Sequence, residues 1–149
     1  QKKLKKGTMM EIAVICAALL ALLVFGVGLY LSVLRGRTGT VSYFAVPSRN
    51  ETKTPLARAQ RAQGNTSEYA PLLALLILFA GGQPTVEAWW VWCMIGIVLV
   101  RFLVVAGFIW GKPLDESDAM RALGAFGTYV LGTALTIGVL IPYLQDLMG

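Results

Sequence analysis

Residues 58–71, RAQRAQGNTSEYAP, lead without a break into the apolar run LLALLILFA at 72–80. Arg61, Asn65 and Glu68 are spaced by four and then three residues, so on a helix they line one face. A polar face that continues into such a run reads as the mouth of a membrane helix whose ionisable groups are carried into the bilayer. Charged groups are expensive there and mark a functional site by default.

The flanking sequence supplies the other spans. Residues 12–34, IAVICAALLALLVFGVGLYLSVL, carry no charge and exceed the roughly 20 residues needed to cross a hydrocarbon core about 30 Å thick. A cleaved signal peptide is the alternative, given the basic flank, but the run is longer than an h-region and no small-x-small site with a soluble domain follows it. Residues 35–54 are basic and punctuated by Gly36, Gly39 and Pro47, as in an extramembrane loop. Thr54-Pro55 supplies a capping residue followed by proline at the first helical position, and Gly81-Gly82 before Pro84 supplies the stop. Pro71 leaves the Ser67 carbonyl without its usual donor, which predicts a kink just after Glu68. Residues 88–110 form a third apolar run with Trp89, Trp90, Trp92 and Trp110 near its ends, as in aromatic belts. After the polar turn GKPLDESD at 111–118, a fourth run carries Gly124, Gly127, Gly132 and Ala134, small enough for close helix approach, and Pro142 near its far end. The expected architecture is all-α: an integral-membrane four-helix bundle of up-down topology, one domain over 10–149, with spans at about 11–35, 57–81, 87–111 and 119–147.

Composition agrees, since 56% hydrophobic against 14% charged residues in 149 is too apolar for an ordinary soluble domain. The net charge of +5 comes mostly from Lys2, Lys3, Lys5 and Lys6, ahead of the apparent start at Met9 or Met10. Without those four lysines nine basic residues face eight acidic ones, which removes the electrostatic case for nucleic acid. Residues 1–9 read as an expression tag or a short basic flank. Cys16 and Cys93 lie in apolar runs and behave as small hydrophobes, so no disulfide is expected. With no histidine and no Cys/His cluster, a zinc site or a Ser-His-Asp triad is excluded, and no metal is expected. Two glycosylation patterns, at Asn50 and Asn65, are discounted as short patterns that arise by chance.

Arg101 is the anomaly of the third run. It lies about ten residues, hence roughly 15 Å, from the Trp110 end, and Glu68 lies about as far into the second helix from the same side. That match predicts an intramembrane Arg101–Glu68 pair, either structural or part of a site. Basic residues crowd the first and third loops and are absent from the second, which turns the odd loops and the mouth at Arg61 toward the cytoplasm. Arg35 and Arg37 either anchor the first helix at the interface or reach an anionic ligand. No retention signal closes the chain at Leu147-Met148-Gly149, which favours a bacterial inner membrane over endoplasmic reticulum.

Several arginines, a glutamate and two amides suit a small ligand with carboxylates and an amine. Arginine forks bind carboxylates, Glu68 can take an ammonium, and Asn65 or Gln63 can read amides. Glutathione has all of these groups. A nearby guanidinium can lower its thiol pKa from about 8.5 toward neutral, so nucleophilic chemistry is open without histidine.

The run Arg58-x-x-Arg61-Ala62-Gln63-x-Asn65-x-Ser67-Glu68-Tyr69-x-Pro71, ahead of an apolar span, closely resembles the second-helix signature of the membrane-associated eicosanoid and glutathione metabolism (MAPEG) superfamily. The four spans, the arginine within the third and the arginine opening the fourth are similar too, so the resemblance covers nearly everything after Met10. It implies a homotrimer embedded in membrane lipid, with glutathione bound between subunits on the cytoplasmic side and lipophilic acceptors arriving through the bilayer. By position it implies glutathione contacts at Arg61, Gln63, Asn65, Glu68 and Tyr69, with Arg101 beside them, a further contact at Arg35, and thiolate stabilisation by Arg121. The chain departs from the pattern after Arg101: where the family has tyrosine or histidine one turn on and tyrosine two turns on, Val104 and Phe108 stand here, and the linker before Arg121 is longer than in the eicosanoid enzymes. The expected function is a glutathione-dependent transferase or peroxidase acting on lipophilic electrophiles, with Arg121 and, beside it, Arg35 as the residues that activate the thiolate. The alternatives are a non-catalytic member binding another anionic or lipid ligand, and a structural trimer.

Overall fold

The computed structural model describes residues 6–39, 53–84 and 87–149. They form four helices: α1 (Lys6–Thr38), α2 (Pro55–Gly81), α3 (Ala88–Ile109) and α4 (Ala119–Met148). The first helix includes Lys6 and Met9 from the flank set aside above, and Met9 is buried. The Asn50 pattern, Arg49 and the lysines at 2, 3 and 5 lie outside the described residues.

Local chemistry sets the helix ends. Thr54 caps α2 by accepting a hydrogen bond from the Ala57 N–H at 3.2 Å, with Pro55 as the first helical residue. Asp118 caps α4 by accepting from the Arg121 N–H at 3.0 Å. Both α2 and α4 continue through their internal prolines, Pro71 and Pro142.

Neighbours in sequence run antiparallel. The end of α2 meets the start of α1 at Gly81, where an added Cβ would lie 2.4 Å from Ala13 Cβ. The start of α4 meets the later half of α3 at Gly124, where a Cβ would lie 2.5 Å from Val104 and 2.9 Å from the Val100 carbonyl. Helix α1 packs chiefly on α2, α3 packs on α4, and α2 joins the two pairs through α3. The core is filled by Leu20, Ile77, Met94, Ile97 and Leu135. Cys16 and Cys93 are free and buried within it.

The outer surface is as apolar as the core. Phe25, Leu72, Trp92, Leu99 and Phe126 are each at least 65% exposed, and all four helices contribute. A protein surface of this kind needs lipid as its solvent. The chain is an all-α integral-membrane four-helix bundle. Helices α1, α3 and α4 are each long and apolar enough to cross a membrane, whereas α2 is not, although 27 residues would extend about 40 Å. Its first half is polar and its apolar run begins only at Leu72, so bundle partners must accept what lipid would reject.

Gly124→Ala is expected to destabilise the bundle by about 2 kcal/mol, because the new methyl meets main-chain atoms that cannot yield. Gly26→Ala, with nothing within 4 Å, is the control and should lose nothing. Unfolding in mixed detergent measures both.

Candidate functional site

The polar half of α2 distributes its side chains to three different surroundings. At about 100° per residue, Gln63 lies about 200° from Arg61 and faces α1, not the side Arg61 faces. Its amide stacks over Gly28, and its Nε2 donates to Ser67 Oγ at 3.1 Å. Arg61 and Asn65 face the opposite side, into a cavity of about 420 Å³ between α2, the later part of α3 and the start of α4. Val104 and Phe108 form its apolar wall, Arg121 lines the α4 side, and Glu116 and Ser117 sit at the edge of the turn above it.

Behind Asn65 stands Arg101, only 1% exposed. Its Nη2 donates to the Asn65 main-chain carbonyl at 3.1 Å and to Asn65 Oδ1 at 2.8 Å, and its guanidinium lies over the Tyr69 ring, 5.2 Å from the centroid. A guanidinium has only donors, so the amide must turn its oxygen to Arg101. The Asn65 NH₂ group is thereby left for other partners.

The expected Arg101–Glu68 pair is not formed. Glu68 is exposed, about 60° farther round α2, and acts on Arg101 only through space. Asn65 takes the place expected of it. An amide serves a buried guanidinium without the desolvation penalty of a second ion. The depth argument located the right turn of α2 and the wrong residue on it.

Tyr69 lies on the far side of Arg101. Its hydroxyl shares a 3.0 Å hydrogen bond with that of Tyr129, and the rings meet edge to face at 5.9 Å between centroids. The two tyrosines line a second cavity of about 430 Å³ between α2 and α4, whose other walls are four aliphatic side chains, Leu72, Leu76 and Ile137 among them, with three threonines and a glycine. Arg101 thus separates a polar cavity from an apolar one.

The placement of the anticipated residues is uneven. Arg61, Asn65 and Arg121 line one cavity, Tyr69 lines the other, and Arg101 is buried between them. Gln63 faces α1, Glu68 is exposed on the outside, and Arg35, at the end of α1, does not line the cavity. Val104 and Phe108, the departures in the sequence, are part of the cavity wall, and the Arg121 guanidinium stands 5.7 Å over the Phe108 ring.

Sequence reasoning gave no individual role to Arg58, Asp118 or Tyr129. Asp118 was open to the helix-capping rule, since it directly precedes the fourth span. Arg58 donates to the Phe108 carbonyl at the end of α3, fifty residues away, and to the turn that follows, and no local signal announces such contacts.

Asp118 accepts from the main-chain N–H groups of Lys112 and Arg121, each at 3.0 Å. These bonds, the one from Lys112 foremost, hold its carboxyl below the usual aspartate range.

A family model described as the MAPEG family matches residues 13–141. No curated protein matches the chain.

Replacing Asn65 by leucine should destabilise the fold by about 2 kcal/mol, because the buried Arg101 loses its side-chain acceptor and keeps only the main-chain carbonyl at that position. Glu68→Gln should leave the isolated chain's stability unchanged; equal losses in detergent unfolding would restore the pairing with Glu68. Asp118 also makes stability depend on acid. Because its folded pKa is lowered, its contribution is complete above the ordinary aspartate range near pH 4 and is lost as pH falls through the lower folded value. Asp118→Asn should flatten that acid limb in a pH series of melting curves.

Proposed function

The chain belongs to the MAPEG family, and from that premise we propose a membrane-bound glutathione-dependent transferase or peroxidase that acts on lipophilic electrophiles. Family membership supports a glutathione-transferase-like or related role in general. The observation that carries the finer reading is the convergence of two guanidinium groups, Arg61 and Arg121, and the Asn65 amide on one cavity of about 420 Å³. Its size lies within the range of small-molecule sites.

In this reading Arg61 binds a glutathione carboxylate and Asn65 donates its NH₂ group to a carboxylate or peptide oxygen. Arg101 holds Asn65 in place for that contact. The positive field of Arg61 and Arg121 favours the thiolate over the thiol. The second cavity, between α2 and α4, suits a lipophilic acceptor entering from the bilayer, with the Tyr69 and Tyr129 hydroxyls at its polar boundary.

A homotrimer completes the site. Glu68 is exposed at a level where lipid is a poor neighbour for a carboxylate, and a second subunit would cover it. There it can take the ammonium of glutathione, and Arg35 can reach the ligand from an adjoining α1. The bias of arginine and lysine toward the odd loops supports a site facing the cytoplasm, with a bacterial inner membrane as the setting.

A second reading, a non-catalytic member that binds another anionic or lipid ligand, is favoured by Val104 and Phe108, which make one wall of the cavity apolar. Rapid mixing of the purified protein with glutathione at neutral pH discriminates between them. The catalytic reading expects an ultraviolet thiolate band and turnover of an aryl halide. No glutathione binding, with an anionic lipid bound in its place, would establish the second reading, and neither band nor turnover would remove the first.

A further inference from the structure

Tyr129 stands where an aromatic belt would not place it. It lies about 15 Å along α4 from the first residue of that helix, and it is 56% exposed. Belt tyrosines keep their hydroxyls at the headgroups, whereas lipid at this depth offers a hydroxyl no acceptor. The Tyr129 hydroxyl bonds that of Tyr69 at 3.0 Å and makes no other hydrogen bond among the described residues.

The pair has a proton to spare. Each phenol carries one O–H, and the mutual bond uses one of the two. Behind Tyr69 the buried Arg101 guanidinium lies 5.2 Å from the ring centroid. A fixed cation there favours the negative end of a dipole at the hydroxyls, in surroundings too dry to screen it.

Little else in the cavity competes for a polar group. Thr128 and Thr136 spend their hydroxyls on carbonyls of their own helix, Gly124 O at 2.7 Å and Gly132 O at 2.8 Å. Thr133 can do the same by turning onto the Tyr129 carbonyl, four residues back. Because α2 and α4 run parallel, the lining from Tyr69 to Leu76 and from Tyr129 to Ile137 forms one groove, about 12 Å long from the tyrosine pair. Its polar end is a donor. A carbonyl oxygen, with lone pairs and no proton of its own, takes what that end offers. A hydroperoxide would bring a further O–H into an apolar groove, and a carboxylate would bring a full charge that Arg101, behind the ring, does not pair.

We propose that Tyr129 selects the acceptor: its hydroxyl, oriented by Tyr69, donates to the carbonyl oxygen of a lipophilic ligand whose chain lies along the groove toward Ile137. In that order Arg101 sharpens the Tyr69 O–H as a donor, and Tyr69 in turn sharpens that of Tyr129. Assigning the carbonyl compound as the acceptor substrate rests on the glutathione reading above; the carbonyl site itself does not. Its consequence is a preference for unsaturated aldehydes and ketones over halides of the same chain.

The test uses the full chain in lipid nanodiscs, with Tyr129→Phe, which keeps the ring, and Tyr143→Phe as the control. Tyr143 is also on α4, but its hydroxyl donates to Gln83 outside the cavity. Binding is read without glutathione, by photolabelling with an alkyl methyl ketone that carries a diazirine at the far end of its chain. Labelling of 72–76 and 133–137 should fall about five-fold in Tyr129→Phe and hold in Tyr143→Phe. With glutathione, turnover of trans-2-nonenal is compared with that of 1-chloro-2-nonene, which has the same carbon chain and no oxygen. Tyr129→Phe should raise KM for the enal about ten-fold and leave that for the chloride unchanged.

Equal losses for enal and chloride would reduce Tyr129 to a wall residue and overturn the selection. Ketone labelling that survives in Tyr129→Phe overturns the site, and so does a wild-type groove that takes no label because a second copy covers it. A wild type that takes the ketone label, loses it in Tyr129→Phe and turns over neither electrophile removes the proposed function and leaves the carbonyl site standing.

Discussion

One buried guanidinium organises the interior. Arg101 sits in the second half of α3, 1% exposed, where lipid cannot solvate it. A charge in that position must be met by polar groups at the same depth, and α2 brings them there. The Asn65 carbonyl and side-chain oxygen meet it, and the Tyr69 ring covers one face. This requirement explains why α2 is polar so far along its length. It also explains why α2 alone among the four helices is not apolar enough to cross a membrane by its own composition. Its polar half depends on α3.

The same requirement separates the cavities. Arg101 sits between Asn65, which is part of the wall of the first cavity, and Tyr69, which is part of the wall of the second, so its two partners face different cavities while the cation itself lines neither. The Arg101 Nε is buried with no hydrogen-bond partner among the described residues. An unpaired donor on a buried cation costs on the order of 1–3 kcal/mol, so Arg101 carries a standing demand for one more acceptor.

What was legible in the sequence was what depends on one dimension. Helix number and the capping at Thr54-Pro55 follow from order along the chain, and the four helices and that cap are found. Azimuth was harder. Asn65 and Glu68 differ by less than one turn in depth but by about 60° around the axis, and this rotation decides which of them meets Arg101. Gln63 was grouped with Arg61 because both are polar and close in sequence, yet two residues on a helix point to nearly opposite sides. The anchoring of the α3–α4 turn was legible only at Asp118, where a capping rule applies. The contact of Arg58 with Phe108 joins positions fifty residues apart and is created by the packing itself.

The apolar wall of Val104 and Phe108 bears on thiol chemistry in two opposing ways. Removing water disfavours a thiolate and raises its pKa. The same exclusion lowers the effective dielectric and strengthens attraction to any nearby cation. A thiolate about 4 Å from a guanidinium gains roughly 4 kcal/mol at an effective dielectric near 20, against about 1 in water. The difference corresponds to about two pKa units, comparable with the penalty expected for a group only partly desolvated at an open cavity. In the proposed glutathione reading, valine and phenylalanine at 104 and 108 therefore do not by themselves prevent thiolate formation. They would leave the task to Arg61 and Arg121, and the outcome would depend on how close the two guanidinium groups come to the sulfur.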